Sequence, residues 1–281
     1  MKMLKKSLAL LLVVLITLIP LSASAAKDKT NYLVLGDSIG FGAGIINPDE
    51  SSYGRIVADT NGYDYTNHSV IGQSSAVMIS QLMLPHVRNS IKEADIISLS
   101  IGGNDFLTNN MIKLGLEAAL MKDYKSFDKI AATFYNNYCE IIGTIKELNP
   151  DAVILVQTLY NPMTGIAIEG IYQQAVDRLN AVYSRYLSEN PGSTVIVDVG
   201  AAFKGHSEYI AGDCVHPNAQ GNVVIATLVL QALKNLSLGS ATTPVLNHAG
   251  VNNRFLNPFR SFVRFIANTA EKFIPSLFTV A

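Results

Sequence analysis

Two cysteines among 281 residues are too few for a disulfide scaffold or a cysteine-based zinc site. Charge is also sparse, at 15% of residues with a formal net of −1. Basic side chains are missing where a nucleic-acid binder would need them. Three lysines sit in residues 1–25, and residues 241–281 carry a net +3, which leaves about −7 for residues 26–240. With so acidic a body, no nucleic-acid partner is expected. No short repeat runs through the chain, which excludes a collagen or coiled-coil rod. Apolar residues are plentiful at 49%, too many for disorder and enough for one large domain or two small ones.

The two ends read differently from the body. Lys2, Lys5 and Lys6 precede an apolar run from Leu8 to Leu21 and then Ser22-Ala23-Ser24-Ala25-Ala26. The run is shorter than the ~20 residues that span a bilayer comfortably, and small residues at Ala23 and Ala25 fit a signal-peptidase site. The pattern predicts a signal peptide over 1–25 and a mature chain starting at Ala26 or Lys27, secreted or held at the cell-envelope surface. An uncleaved anchor is the alternative. Residues 239–253 have a linker's composition. Over 254–281, Phe255, Phe259, Phe262, Ile266, Ala270, Phe273 and Leu277 recur at three- to four-residue spacing, with Arg260, Arg264 and Lys272 largely off that stripe. This predicts a basic amphipathic helix, and two partners suit it. One is an anionic membrane contacted through residues 254–278; the other is the surface of the protein's own domain.

Between the ends, residues 26–238 alternate short apolar runs with longer amphipathic ones. Tyr32–Leu35, Ile96–Ile101, Val153–Val156 and Val195–Val197 read as buried strands, and Tyr63–Val70 as a weaker one. Helical spacing marks Ser74–Ile91, Ile112–Met121, Phe127–Leu148, Ile168–Leu187 and Pro217–Leu236, the last with Pro217 at its first position. Continuous β-branched runs alternating with helices predict a doubly wound α/β sandwich with a parallel sheet. Such sheets bind ligands at the carboxyl ends of their strands, and the residues with chemical potential fall there. Gly36-Asp37-Ser38 follows the first strand. Asn67-His68-Ser69-Val70-Ile71-Gly72 follows the second, and Gly102-Gly103-Asn104-Asp105 the third. Asp213-Cys214-Val215-His216 lies after the fifth and before the last helix.

The residue types fit acyl transfer. A serine hydroxyl becomes a nucleophile when a base takes its proton, and histidine titrates near neutrality. That makes Ser38 the candidate nucleophile and His216 the candidate base. Asp213, three residues earlier, can fix the imidazole tautomer and steady its positive charge. A tetrahedral intermediate needs hydrogen-bond donors at its oxyanion, and the backbone N–H groups of Ser38 and Gly72 with the Asn104 amide offer three. Gly72 is expected to let its backbone approach substrate closely. Gly36-Asp37-Ser38-Ile39-Gly40 also fits the G-x-S-x-G elbow of α/β-hydrolases, but that elbow follows several strands and here one strand precedes Ser38.

These four blocks, in this order over residues 30–236, resemble the SGNH hydrolase superfamily, the GDSL esterases/lipases. Ile39 replaces the leucine of the usual signature, and Cys214 fills a variable position. The resemblance implies a flavodoxin-like three-layer α/β/α sandwich with a five-stranded parallel sheet. It implies Ser38 as nucleophile, Asp213 and His216 as its partners, and Ser38, Gly72 and Asn104 as the oxyanion hole. It also implies hydrolysis of esters or thioesters with no metal and no organic cofactor. The expected substrate is a carboxylic ester, with an acyl lipid favoured by the aromatic tail. Carbohydrate O-deacetylation on the same fold and a non-catalytic envelope binding protein are the rivals.

Other residues receive blander roles. Asp37 is expected to brace the serine loop, and Asp105 to serve a turn or helix cap. His68 reads as structural, and His86, His206 and His248 lack metal-ligand spacing. Cys139 and Cys214 are expected to stay free thiols. Phe106, Leu107, Tyr160, Met163 and Ile166 follow strand ends and suit an acyl pocket or core packing equally. Asn109–Asp123 suits an inserted helix over the site.

Overall fold

The computed structural model describes residues 29–107, 117, 122–166 and 168–246. In chain order these residues form β1 (Asn31–Gly36), α1 (Ser38–Phe41), α2 (Pro48–Ser51), α3 (Tyr53–Asn61), β2 (Asp64–Asn67), α4 (Ser75–Gln81) and α5 (Pro85–Glu93). β3 (Ile96–Ser100), α6 (Gly103–Leu107), α7 (Lys125–Leu148), β4 (Val153–Gln157) and α8 (Glu169–Glu189) follow. β5 (Val195–Val197), α9 (Val199–Phe203), a 3-10 turn (Ser207–Tyr209) and α10 (Ala219–Asn235) complete them.

The five strands pair in parallel in the order β2-β1-β3-β4-β5. One row of the sheet runs Asn67, Val34, Ser98, Leu155, Val195. Side chains alternate across the sheet, so β1, β3 and β4 each feed two cores. Leu33, Leu35, Ile97, Leu99, Ile154 and Val156 face α4, α5, α7 and α8. Tyr32, Val34, Ile96, Leu155 and Val197 face α3, α9 and α10. Burial on both faces explains why β1 and β4 read as nearly continuous apolar runs and why β3 interrupts its run only with the small residues Ser98 and Ser100. β2 lies at the sheet edge with alternate residues exposed, which accounts for its polar sequence Asp64-Tyr65-Thr66-Asn67. The architecture is the expected α/β fold.

Besides the short helices α1, α2, α6 and α9, which the sequence reading does not name, three elements depart from it. The helix expected over Ser74–Ile91 is two helices, because Pro85 lacks an N–H and its ring would strike the preceding turn. Pro217 stands outside its helix. Asn218 is the cap, its side chain accepting from Gly221 N–H, and Pro217 bridges Ile210 instead. Helix α3 was not anticipated. Its Gly54 is a poor helix former, yet a Cβ there would lie 2.7 Å from Val34 Cγ2, so glycine lets α3 settle on β1.

Residues 238–246 run beside α3. The Tyr63 hydroxyl donates to the Leu238 carbonyl at 2.5 Å, and Val245 N–H donates to Thr60 Oγ1 at 2.9 Å. Residues 239–246 contain no helix or strand. The expected segments 1–25 and 254–281, and most of Asn109–Asp123, lie outside the described residues. Among the described residues no helix is long and apolar enough to cross a membrane.

Candidate active site

In the order β2-β1-β3 the chain reverses direction across the sheet at β1, and a crevice opens at the carboxyl ends of β1 and β3. Gly36 ends β1 with φ +143°, and a Cβ there would stand 2.2 Å from the Ser100 carbonyl oxygen. Only glycine lets the two strand ends come this close. Asp37 N–H then donates to that carbonyl at 2.9 Å, and Ser38 opens α1.

Asp37 does brace the turn. Its Oδ1 accepts from Ile39 N–H at 3.0 Å and from the Ser100 hydroxyl at 3.1 Å. Ser100 Oγ in turn accepts from Gly40 N–H at 3.1 Å. Asp37 is 2% exposed. Burial lifts its pKa to about 6, against the opposing pull of those hydrogen bonds and of the His216 charge. Ser100 escaped the sequence reading. It looked like one residue of a buried strand, and only the pairing of β1 with β3 reveals its task.

The other side of the crevice is the loop before α10. Ser38 Oγ lies 2.8 Å from His216 Nε2, and His216 Nδ1 lies 2.7 Å from Asp213 Oδ2. The second Asp213 oxygen accepts from the N–H groups of Val215 and His216, both at 3.0 Å. Burial pushes the Asp213 carboxyl up, but bonds from the His216 ring and these two N–H groups outweigh it and hold the pKa below the ordinary carboxylate value. Asp213 therefore remains an anion beside the imidazole. The Tyr160 hydroxyl donates to the Val215 carbonyl at 2.6 Å, and Asn222 Nδ2 donates to the Pro217 carbonyl at 3.2 Å. Neither tie was legible in sequence: Tyr160 and Val215 lie 55 residues apart, and the short step from Pro217 to Asn222 carries no mark of its own.

The second and third blocks are joined to each other. Asn104 Nδ2 donates to the Gln73 carbonyl at 3.0 Å. The next residue, Asp105, accepts from Ser75 N–H at 2.9 Å and from the Ser75 hydroxyl. Asp105 is thus a helix cap, but for α4 rather than for its own helix. Consecutive residues 104 and 105 grip residues 73 and 75 and fix the turn that carries Gly72. A side-chain amide has two N–H bonds, so anchoring Asn104 on Gln73 sets its plane. Gly72 has φ +79°, and a Cβ there would meet nothing within 4 Å. The left-handed turn by itself calls for glycine at this position. Gly72 sits on an exposed turn, outside the pocket wall that Ser38 and Asn104 share.

That pocket opens at Ser38 and has about 530 Å³ of empty space, its mouth included. Phe106, Leu107 and Tyr160 line it, as the acyl-pocket reading requires, together with Leu159 and a face of α8. Met163 and Ile166 do not line it, and Ile166 is buried in packing.

The remaining expectations are structural. His68 Nε2 lies 2.9 Å from Ser90 Oγ, and its ring meets His86 edge-on. Burial, then the neighbouring His86, lowers the His68 pKa. His206 Nδ1 lies 2.6 Å from Glu208, and its ring stacks on Tyr209. His248 lies outside the described residues. No disulfide joins Cys139 and Cys214. Among the described residues no cluster of three or more histidines, cysteines or carboxylates could hold a metal.

The five-stranded parallel fold thus carries a Ser38–His216–Asp213 chain of contacts at its switch point. A family model described as the GDSL-like Lipase/Acylhydrolase family matches residues 34–224, and the chain belongs to that family. Membership implies ester hydrolysis, and it agrees with the superfamily that the four blocks resemble. YpmR of Bacillus subtilis (strain 168), described as uncharacterized, is 28% identical over 231 residues, 77% of this chain and 87% of that protein. The spore germination lipase LipC of Bacillus licheniformis is 26% identical over 202 residues, 68% of this chain and 90% of that protein. Among solved structures, the lipase Lip_vut3 from a goat rumen metagenome aligns with a TM-score of 0.61 at 22% identity, covering 75% of this chain and 99% of that one. Phospholipase A1 from Streptomyces albidoflavus NA297 aligns with a TM-score of 0.57 at 19% identity, covering 73% and 99%. Both share this chain's fold.

Proposed function

We propose that the protein is an exported serine esterase that cleaves carboxylic esters through an acyl-enzyme on Ser38. The observation that carries this reading is the chain of contacts from Ser38 Oγ to His216 Nε2 and from His216 Nδ1 to Asp213 Oδ2, at 2.8 and 2.7 Å.

The proton bookkeeping follows from that geometry. With Asp213 anionic, the His216 proton sits on Nδ1 and faces the carboxylate, which leaves Nε2 as an acceptor for the Ser38 proton. Ser38 Oγ bonds to the ester carbon, and its proton passes to Nε2. Charge develops on the former carbonyl oxygen, where the Ser38 and Gly72 N–H groups and the Asn104 amide would act as donors. Collapse breaks the bond to the alcohol, which takes the proton from Nε2. Water then repeats the sequence with His216 as base and releases the acid.

Hydrolysis of a soluble p-nitrophenyl ester by wild type and Ser38→Ala tests this. A loss of roughly 10⁴-fold or more in kcat is expected; a variant within tenfold of wild type would rule out the nucleophile. The signal-peptide pattern of residues 1–25 supports export to the cell exterior or envelope surface, checked by N-terminal sequencing of the exported protein, where a start at Met1 contradicts cleavage. The stripe and arginines of residues 254–278 support contact with anionic membrane. Full-length protein should float with anionic liposomes and protein truncated after Leu238 should not; equal flotation removes that role.

A further inference from the structure

From the shape and chemistry of the pocket we infer that it takes the acyl chain of the substrate, that this chain is linear and longer than acetyl, and that Ala175 sets how far it enters. This rests on the reading of Ser38 as nucleophile. Tyr172, Ala175, Val176 and Leu179 all line the pocket, and their spacing of i, i+3, i+4 and i+7 makes them one face of α8. Phe106 and Leu107 of α6 line it as well. Phe106 is held edge-on against Phe127 at 5.1 Å and Tyr172 at 5.6 Å, so one aromatic framework ties α6 to α8.

Asp37, Ser38 and Asn104 bring hydrogen-bonding groups to the lining. Ala175, Val176 and Leu179 of α8 offer hydrocarbon, with the Tyr172 ring beside them, and the Tyr160 hydroxyl is committed to Val215. A polar acyl group would trade most of its hydration for contact with these side chains. An acetyl group would leave the slot unfilled. A linear chain gains about fourfold in kcat/KM for each methylene it buries, until the slot ends. Ala175 is 2% exposed and is the one small residue of the α8 face, flanked by Tyr172, Val176 and Leu179. It leaves the room between α6 and α8 that a longer chain needs.

The test is a series of p-nitrophenyl esters from acetate to octanoate with the mature chain, its Ala175→Phe and Ala175→Leu variants, and Val176→Ala. Circular dichroism melting checks that each variant is folded. In wild type kcat/KM should rise from acetate through at least hexanoate. The octanoate-to-acetate ratio should fall about tenfold or more in Ala175→Phe, fall less in Ala175→Leu, and rise in Val176→Ala, whose smaller side chain lengthens the slot. A wild-type preference for acetate, or a ratio that none of the folded variants moves, overturns the inference while leaving the Ser38 reading intact. If wild type cleaves no ester of any length, both fall together.

Discussion

Asp37→Asn isolates the cost of burying a carboxylate beside the nucleophile. Asp37 is 2% exposed, and its pKa is lifted from 3.8 to about 6 by loss of hydration. Between those two values the folded chain binds a proton that the unfolded chain has released. Stability is therefore fullest below about pH 4 and falls as pH rises through about 6. A shift of about two units corresponds to about 3 kcal/mol, a sizeable share of the 5–15 kcal/mol typical of a domain. Asparagine keeps an oxygen that can accept from Ile39 N–H and Ser100 Oγ, and it does not titrate. Any change in hydrogen-bond quality shifts its stability by the same amount at every pH. The slope is what separates the two proteins. Urea unfolding of the mature chain and the variant at steps from pH 4 to 7.5 gives the difference in stability at each step. That difference should move against wild type by about 2.5 kcal/mol between pH 4 and 7.5, with most of the change before pH 6.5. Parallel curves would refute the argument and place the Asp37 pKa near that of a solvated carboxylate.

Three further outcomes follow from the same geometry. Asp213→Asn should cut kcat roughly 10⁴-fold with little change in KM, since an amide no longer enforces the Nδ1 tautomer; a drop under tenfold contradicts that role. Asn104→Ala should lower kcat by about 10²–10³ on every ester, in keeping with loss of one oxyanion donor. A purely structural Asn104 would instead show in the melting temperature with kcat preserved. Gly36→Ala should destabilise by about 3 kcal/mol or more, because its Cβ would meet the Ser100 carbonyl at 2.2 Å and the backbone sits at φ +143°. Wild-type melting for this variant would mean the β1–β3 approach is looser than described.

Much of this was legible in the chain because it is local. Strands covered on both faces need continuous apolar runs, so β1, β3 and β4 stand out. Asp213 and His216 are close in sequence because one turn joins them. The edge strand β2 and helix α3 were faint because a polar edge and an internal Gly54 mute their patterns. The breaks at Pro85 and Asn218 turn on single residues. Ser100, Tyr160, Gln73 and Asn222 act on partners between 5 and 63 residues away. Tyr160 stands out only as a residue after a strand end, and nothing near the other three marks them apart from ordinary polar residues of a strand, loop or helix. The acyl slot is similar: Phe106 and Leu107 were readable as candidates, but the α8 face that completes the slot shows only once the helix is seated.

The central claim is an activated serine at the switch point of the sheet, and covalent capture tests it most directly. Intact-mass analysis after a fluorophosphonate probe should show one adduct on the wild-type mature chain, mapped to Ser38, and none on Ser38→Ala. A folded wild type that takes up no probe, or an adduct that survives in Ser38→Ala, would contradict the account.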